Sequence, residues 1–358
     1  MIPFLSRKLF YGLLVMAGIV CVVFFLFNML PGDPARMMLG QRADVASIEK
    51  INHELGRDQP ILVQFALYVN DLSPVSLHSE NNTGSPWYLD SGKYKNVTRL
   101  FSFHGKVMVL KIPFLRRSYQ TGREVTGIIA DALPGTALLA VVSLLFASFF
   151  GIALGVVAAL KKHSAFDVTA TLASVLGMAL PSFFAGIIIA WLFGYVLSDY
   201  TGLHMTGSLY SIDPFEGRIF TPANLILPAL TLGIRPLSVI FQLTRSSMYD
   251  VLSQDYIRTA KAKGLAKMSI VLKHALRNAL NPVVTAVSGW FGSLLAGAVF
   301  IEYIFGWKGI GKVTVDSLEQ YDFPVVMGAV LVVSLFFVVI NIVVDMVYGI
   351  LDPRVRVA

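Results

Sequence analysis

The sequence predicts an all-α polytopic membrane protein of six transmembrane helices, with an extended extracytoplasmic segment between the first and second. Three observations carry this. Of 358 residues, 55% are hydrophobic and only 14% are charged, whereas a soluble domain carries about a quarter charged residues. Six apolar stretches reach the ~20 residues that a helix needs to cross a bilayer. The cations of the short connections all fall on one side if the helices alternate, and that side is then cytoplasmic.

The first span runs from Leu9 to Leu30, behind Arg7 and Lys8. It exceeds the apolar core of a signal peptide, and no A-x-A site follows, so it is expected to stay uncleaved. The second runs from Ala132 to Leu160 and carries Ala147, Gly151, Gly155 and Ala159 on one face. Small residues every four positions let helix backbones approach closely, so this face is a candidate packing seam. The third runs from Val168 to Ser198. It is longer than the ~30 Å hydrocarbon core, and Pro181 inside it should bend or break it. The fourth, Thr221 to Thr244, holds Pro228 and Pro236, expected to kink it, and the charged Arg235. The fifth is Ala279 to Ile301 and the sixth Val325 to Val344. Lys161 and Lys162, the seven cations from Arg245 to Arg277, and Arg354 and Arg356 then lie with Arg7 and Lys8 on the cytoplasmic side, and both termini are inside. The chain divides into the first helix (1–30), an extracytoplasmic segment (31–131) and a five-helix core (132–358) with a cytoplasmic loop at 246–282.

The outer segment is the least apolar part. Ser47 to Leu55 reads as a short helix capped by Ser47, and Ile61 to Val69 as another opened by Pro60. From Ser73 to Ser118 the composition turns to Gly, Pro, Ser and Asn, with a β-rich piece at Lys106 to Ile112. Gly122 to Ala130 reads as a polar helix ahead of the second span.

Several chemistries are set aside. The net charge of +7 is accounted for by membrane topology, so no nucleic-acid partner is expected. One cysteine, Cys21, permits no disulfide within the chain, and the six histidines have no ligand spacing, so no metal site is expected. Gly306 to Lys312 reads G-x-x-x-x-G-K, but Val313 stands where a phosphate-binding loop needs Ser or Thr for Mg²⁺, and no strand precedes it. The chain therefore binds no nucleotide of its own. A membrane-embedded enzyme would need a reactive constellation at membrane depth, and none is present.

The most informative stretch is Asp250 to Pro282. Ser253 can cap a helix from Gln254 to Lys263, with Asp255 favourable in its first turn and Gly264 placed to end it. A helix of about 15 Å is unstable alone in water and needs a partner surface. Tyr256, Ala260 and Gly264 form a small-residue ridge, edged by Arg258, Lys261 and Lys263. A second helix, Ser269 to Leu280, is expected to bury Leu272, Leu276, Ala279 and Leu280.

These residues carry a resemblance. Thr244-Arg245-Ser246-Ser247-Met248, Asp255-Tyr256-Ile257-Arg258-Thr259-Ala260-Lys261-Ala262-Lys263-Gly264-Leu265 and His274-Ala275-Leu276-Arg277-Asn278-Ala279-Leu280-Asn281-Pro282 resemble the EAA-type coupling loop of the dipeptide/oligopeptide/nickel ABC transporter permease family, in its B-type subunit. Leu30-Pro31-Gly32-Asp33-Pro34, Tyr119-Gln120-Thr121-Gly122-Arg123, Ile304-Phe305-Gly306-Trp307-Lys308-Gly309-Ile310-Gly311 and Tyr321-Asp322-Phe323-Pro324-Val325-Val326 are similar to the same family, as is the end from Asp345 to Arg354. Two features depart from the pattern: the glutamate that names the EAA motif is absent, and Ser73 to Ser118 looks like an insertion.

The resemblance implies a type I ABC importer permease fold in a bacterial cytoplasmic membrane. It implies a non-catalytic subunit, importing di- or oligopeptides, nickel or another small solute. The implied partners are a second homologous (C-type) permease, two cytoplasmic ATPase subunits that bind the ATP and Mg, and an extracytoplasmic binding protein. Asp255, Tyr256, Arg258, Thr259, Ala260, Lys261, Ala262, Lys263 and Gly264 would then form the helix that seats in an ATPase cleft. A stand-alone secondary transporter is the reading from another class. Such proteins show internal repeats, which this sequence lacks, and would have no use for a docking loop.

Arg235 lies roughly 15 Å inside the membrane from Arg245, where insertion of a charge costs at least about 2.5–3.5 kcal/mol. Either it lines the translocation cavity with Pro181 and Ser182, or it pairs with Asp345, or Pro236 makes its position a helix end.

Overall fold

The computed structural model describes residues 2–29, 58–80, 82, 85–90, 92–213 and 217–351. The helix expected at Ser47 to Leu55 lies outside them. The chain falls into two compact units: residues 1–9, 132–312 and 336–358, and residues 10–131 and 313–335.

Among the described residues, four helices are long and apolar enough to cross a membrane: Ser6–Asn28, Val125–Leu160, Pro222–Leu252 and Phe323–Met346. Two further pairs qualify only as bent spans, Ala165–Ala179 with Ser182–Val196 at 111° and Asn281–Leu295 with Ala298–Ile304 at 54°. Among the described residues, length and composition therefore give four helices able to cross a membrane, or up to six spans if each bent pair is one.

In the unit formed by residues 10–131 and 313–335, helix α1 (Ile2–Met29) contributes Val23 and Phe24, and α2 (Ile61–Leu72) contributes Tyr68. Pro60 precedes α2, where its fixed φ suits a helix start. The stretch that follows α2 folds as a three-stranded antiparallel sheet of β1 (Val75–Ser79), β2 (Thr98–Phe103) and β3 (Lys106–Leu110), in the order β1-β3-β2. Val107 and Val109 alternate inward on β3, as a half-buried strand requires. A buried polar cluster backs it. Asp71 accepts from Tyr94 Oη at 2.6 Å and pairs with Lys93 at 3.0 Å, while Lys111 Nζ donates to the Asp71 carbonyl at 2.6 Å.

Two motifs distant in sequence meet in this unit. The Asp322 carboxylate accepts from Ser118 Oγ and, at 2.9 Å, from the Tyr119 amide, and Gln120 donates to the Gln320 carbonyl at 2.8 Å.

Helix α3 (Val125–Leu160) is one continuous helix with Pro134 inside it. The helix expected at Gly122 to Ala130 begins three residues later, at Val125, because Gly122 has a φ of +67°, and it continues without a break into the span expected from Ala132. α4 (Ala165–Ala179) and α5 (Ser182–Trp191) together form the expected third span, broken at Leu180 and Pro181. A π segment, Leu192–Val196, continues α5 and leads to α6 (Ser198–Thr201). A hairpin of β4 (Tyr210–Asp213) and β5 (Gly217–Phe220) follows.

α7 (Ile226–Leu252) is one continuous helix, so its prolines do not interrupt it. Pro228 sits in the first turn, where an N–H has no intrahelical partner, and Pro236 is accommodated inside the helix. α7 also extends well beyond Thr244. α8 (Asp255–Ala262), α9 (Lys267–Ser269), a π segment (Ile270–Leu276) and α10 (Arg277–Ala279) form the loop between the fourth and fifth spans. α11 (Asn281–Ile304), α12 (Ile310–Glu319) and α13 (Phe323–Leu351) complete the chain.

The core of the unit formed by residues 1–9, 132–312 and 336–358 gathers Leu139 of α3, Ala190 of α5, Leu232 of α7, and Leu294, Ala298 and Ile301 of α11. Trp307 closes it, its Nε1 donating to the Gly135 carbonyl at 2.9 Å.

Candidate functional site

The loop between α7 and α11 is built on its own small core. Ile257 and Ala260 of α8, 0% and 7% exposed, pack with Met248 of α7, Ala159 of α3, and Ile270, Val271, Ala275 and Ala279. Ser253 does not cap α8. Its hydroxyl donates back to the Asp250 carbonyl at 2.7 Å and closes α7, so Gln254 takes the N-cap position without a side-chain bond. Gly264 ends α8 as expected: its amide donates to the Lys261 carbonyl at 3.0 Å, at a φ of +74°, a backbone region open to glycine and costly for other residues.

Of the stripe expected at Leu272, Leu276, Ala279 and Leu280, Ala279 is buried and Leu276 and Leu280 are half-buried, while Leu272 is 52% exposed. Ile270, Val271 and Ala275, in the π segment, turn inward as well. The ridge of Tyr256, Ala260 and Gly264 is divided likewise. Ala260 seats α8 on its own chain, whereas Tyr256, Arg258, Thr259, Lys261, Ala262 and Lys263 face outward with Asp255. The Arg258–Asp255 pair, at 3.3 Å and largely exposed, belongs to a class that contributes little stability. Tyr256 accepts from Asn278 Nδ2 at 3.0 Å. The outer surface thus combines exposed apolar groups, Tyr256, Leu265, Met268 and Leu272, with Lys261, Lys263 and Lys267.

The small-residue stripe of α3 lies along α7. Ala147 packs with Ile240. A Cβ on Gly151 would meet Ile240 Cγ2 at 2.8 Å, and one on Gly155 would meet Thr244 Cβ at 2.7 Å. Ala159 joins the loop core beside Met248.

A third contact was not foreseen. Asp167, in the first turn of α4 and 1% exposed, accepts two hydrogen bonds from Arg245 of α7, one at 3.0 Å through Nη2, and another from Tyr249 Oη at 2.9 Å. The His163 amide also donates to it, at 3.0 Å, and Ser164 Oγ caps the Asp167 amide. The spacing Ser164-x-x-Asp167 is a capping-box pattern that the sequence did contain.

Arg235 is exposed on α7 and enters no ion pair among the described residues, while Asp345 pairs with Lys8 at 2.7 Å. Pro236 lies inside a continuous helix, so Arg235 is not at a helix end. Pro181 is exposed and Ser182 half-buried, at the break between α4 and α5. On either side of that break, Gly177 lies against Ile234 and Ser238, and Gly186 against Thr231. The break thus faces the turns of α7 that carry Arg235.

The G-x-x-x-x-G-K stretch is filled by protein. The fully buried Glu302 carboxylate accepts from the amides of Gly311 and Lys312 at 2.7 and 3.2 Å, at the start of α12. A carboxylate thus occupies the helix terminus where a phosphate would sit, and the element before the turn is a helix, α11.

Comparison with known proteins agrees with this architecture. The family described as "Binding-protein-dependent transport system inner membrane component" matches residues 151–357, and its N-terminal counterpart matches residues 1–85. The "Di/tripeptide transport system permease protein DppB" of Pseudomonas aeruginosa is 35% identical, over 99% of each chain. The "Probable D,D-dipeptide transport system permease protein DdpB" of Escherichia coli is 37% identical, over 98% of this chain and 96% of its own. The "Glutathione transport system permease protein GsiC" of Salmonella choleraesuis is 35% identical, over 99% of each. A match over more than half of the chain, with relatives aligned end to end, establishes that this chain belongs to the binding-protein-dependent transport system inner membrane component family.

Proposed function

We propose that the chain is one permease subunit of an ABC importer that carries di- or oligopeptides inward. The end-to-end match to relatives named for dipeptides, tripeptides and glutathione supports this most directly, and favours peptide over nickel cargo. In this reading each bent pair is a single span, giving six helices with both termini in the cytoplasm. Residues 31–131 lie outside, and residues 132–358 form the core. A second, C-type permease completes the pathway, and an extracytoplasmic binding protein delivers the cargo. Two ATPase subunits bind ATP and Mg, and this chain binds no cofactor.

The loop surface of Tyr256, Leu265, Met268 and Leu272, edged by lysines, supports a docking role for residues 255–264 and their neighbours. Exposed apolar groups rimmed by charge mark protein interaction sites. Arg235, Pro181 and Ser182 line the cavity in this reading, with Arg235 meeting the substrate carboxylate.

The test uses Met268→Asp, at a position 68% exposed, so the fold should tolerate it. The variant should insert normally, lose co-purification with the ATPase subunits and lose ATP-dependent peptide uptake in proteoliposomes. Normal association and uptake would refute the docking surface. Uptake by wild-type chain driven by a proton gradient, without ATPase subunits, would refute the importer reading.

A further inference from the structure

We propose that Asp167 is a positioning residue for energy coupling. Its clamp on Arg245 and Tyr249 makes α4 move as one body with α7 and the loop that α7 feeds. The inference rests on the importer reading above and goes beyond its docking surface.

Three contacts in register fix α4 antiparallel to α7. At the loop end, Asp167 holds Arg245 and Tyr249. Further along, Gln242 Nε2 donates to Ser174 Oγ at 3.1 Å. Beyond that, Gly177 lies so close to Ser238 that a Cβ would sit 2.5 Å from its hydroxyl oxygen. α4 then ends at the 111° break beside Pro181. Only the Asp167 contact is ionic. It is also the contact nearest the loop core, since Tyr249 packs on the cluster that contains Met248, Ile257 and Ala260.

The chemistry of the clamp points to geometry more than to stability. Desolvating two charges offsets most of their attraction, and an apolar replacement of similar volume is often as stable. What a bidentate pair supplies is a fixed orientation. Here it is reinforced by the Tyr249 hydroxyl on the same carboxylate, by the Arg245 guanidinium 4.7 Å from the Tyr249 ring centre, and by the His163 amide. A displacement of α8 is transferred to the base of α7 through the shared core, and from α7 to α4 through Asp167. The lever arm ends at the break that faces the Arg235 turns.

The test uses the assembled importer, with its ATPase subunits and binding protein, in proteoliposomes. Asp167→Asn keeps the side-chain shape and the Ser164 cap but removes the charge. We expect the complex to assemble, ATP hydrolysis to stay within about twofold, and transport to fall about tenfold, so that ATP consumed per peptide rises. Arg245→Lys, which retains the charge without the fork, should lie between wild type and Asp167→Asn. Gln242→Leu, which removes the uncharged contact, should leave the ratio unchanged.

Hydrolysis and transport falling in parallel, or in proportion to folded protein, would show a purely structural role and overturn the proposal. So would an unchanged ratio in Asp167→Asn. If Asp167→Asn fails to fold, Tyr249→Phe keeps the ion pair and removes one donor. A raised ratio there supports the clamp and a wild-type ratio overturns it. A wild-type chain that transports without ATPase subunits refutes the importer reading and the clamp with it, whereas a coupled wild type beside a coupled Asp167→Asn refutes the clamp alone.

Discussion

Replacing Gly155 by alanine tests the α3–α7 seam with a single methyl group. The added Cβ would lie 2.7 Å from Thr244 Cβ and 2.9 Å from the Phe241 carbonyl oxygen. Carbon atoms pack favourably at about 3.5–4.0 Å, so the helices must part by roughly 1 Å. Neither neighbour yields easily: one is a β-branched side chain inside a helix, and the other is helix backbone. Overpacking of this kind costs about 1–3 kcal/mol. At about 2–4 °C per kcal/mol for a body of 150–250 residues, the unfolding midpoint in detergent should fall by roughly 2–12 °C. The control is Gly18→Ala in α1, where nothing lies within 4 Å of an added Cβ. The assay is tryptophan fluorescence during heating of the purified chain. A Gly155→Ala midpoint within 1 °C of wild type would refute the close-packed seam, as would an equal fall in Gly18→Ala.

Two further outcomes are expected. His78, buried against Tyr94 and close to Lys111, is held by burial, and next by the Lys111 charge, at a pKa of about 4 instead of 6.5. Above 6.5 both folded and unfolded chains carry it neutral. As the pH falls from 6.5 towards 4 only the unfolded chain takes up the proton, so the three-stranded sheet loses at most about 3 kcal/mol. Amide exchange in β1 and β3 should therefore be faster, relative to intrinsic rates, at pH 5 than at pH 7.5. A His78→Gln variant should lose this dependence, and equal protection at both pH values would contradict the assignment. On the proposed cavity role, Arg235→Met should leave folding and ATPase association intact but lower peptide uptake several-fold, because a substrate carboxylate would lose its cation. Unchanged uptake of every peptide tested would remove Arg235 from the cavity.

Much of this protein is legible along the chain. The apolar stretches needed no neighbour to be recognised, because a bilayer imposes length and composition on each span separately. Pro181 marked the break between α4 and α5, Gly264 marked the end of α8, and the β-rich piece at Lys106 marked β3. Each of these is a local backbone preference, set within a few residues of where it acts. Ser253 closes α7 instead of capping α8, because its hydroxyl bonds back to the Asp250 carbonyl.

The tertiary structure decided what depends on partners distant in sequence. Pro228 and Pro236 do not break α7, because a proline in the first turn loses no hydrogen bond and helix neighbours support the other. In the π segment Ile270–Leu276, Ile270, Val271 and Ala275 are buried and Leu272 is offered outward. Asp167 and Arg245, 78 residues apart, meet only when α4 lies against α7. Sequence by itself determined which stretches are apolar and long enough to cross a membrane and where the short helix Asp255–Ala262 ends, since those follow from local composition and turn chemistry. Only the packed helices decided which face of the loop is free and which carboxylate ties it to the rest, since burial and ion pairing are properties of the surroundings.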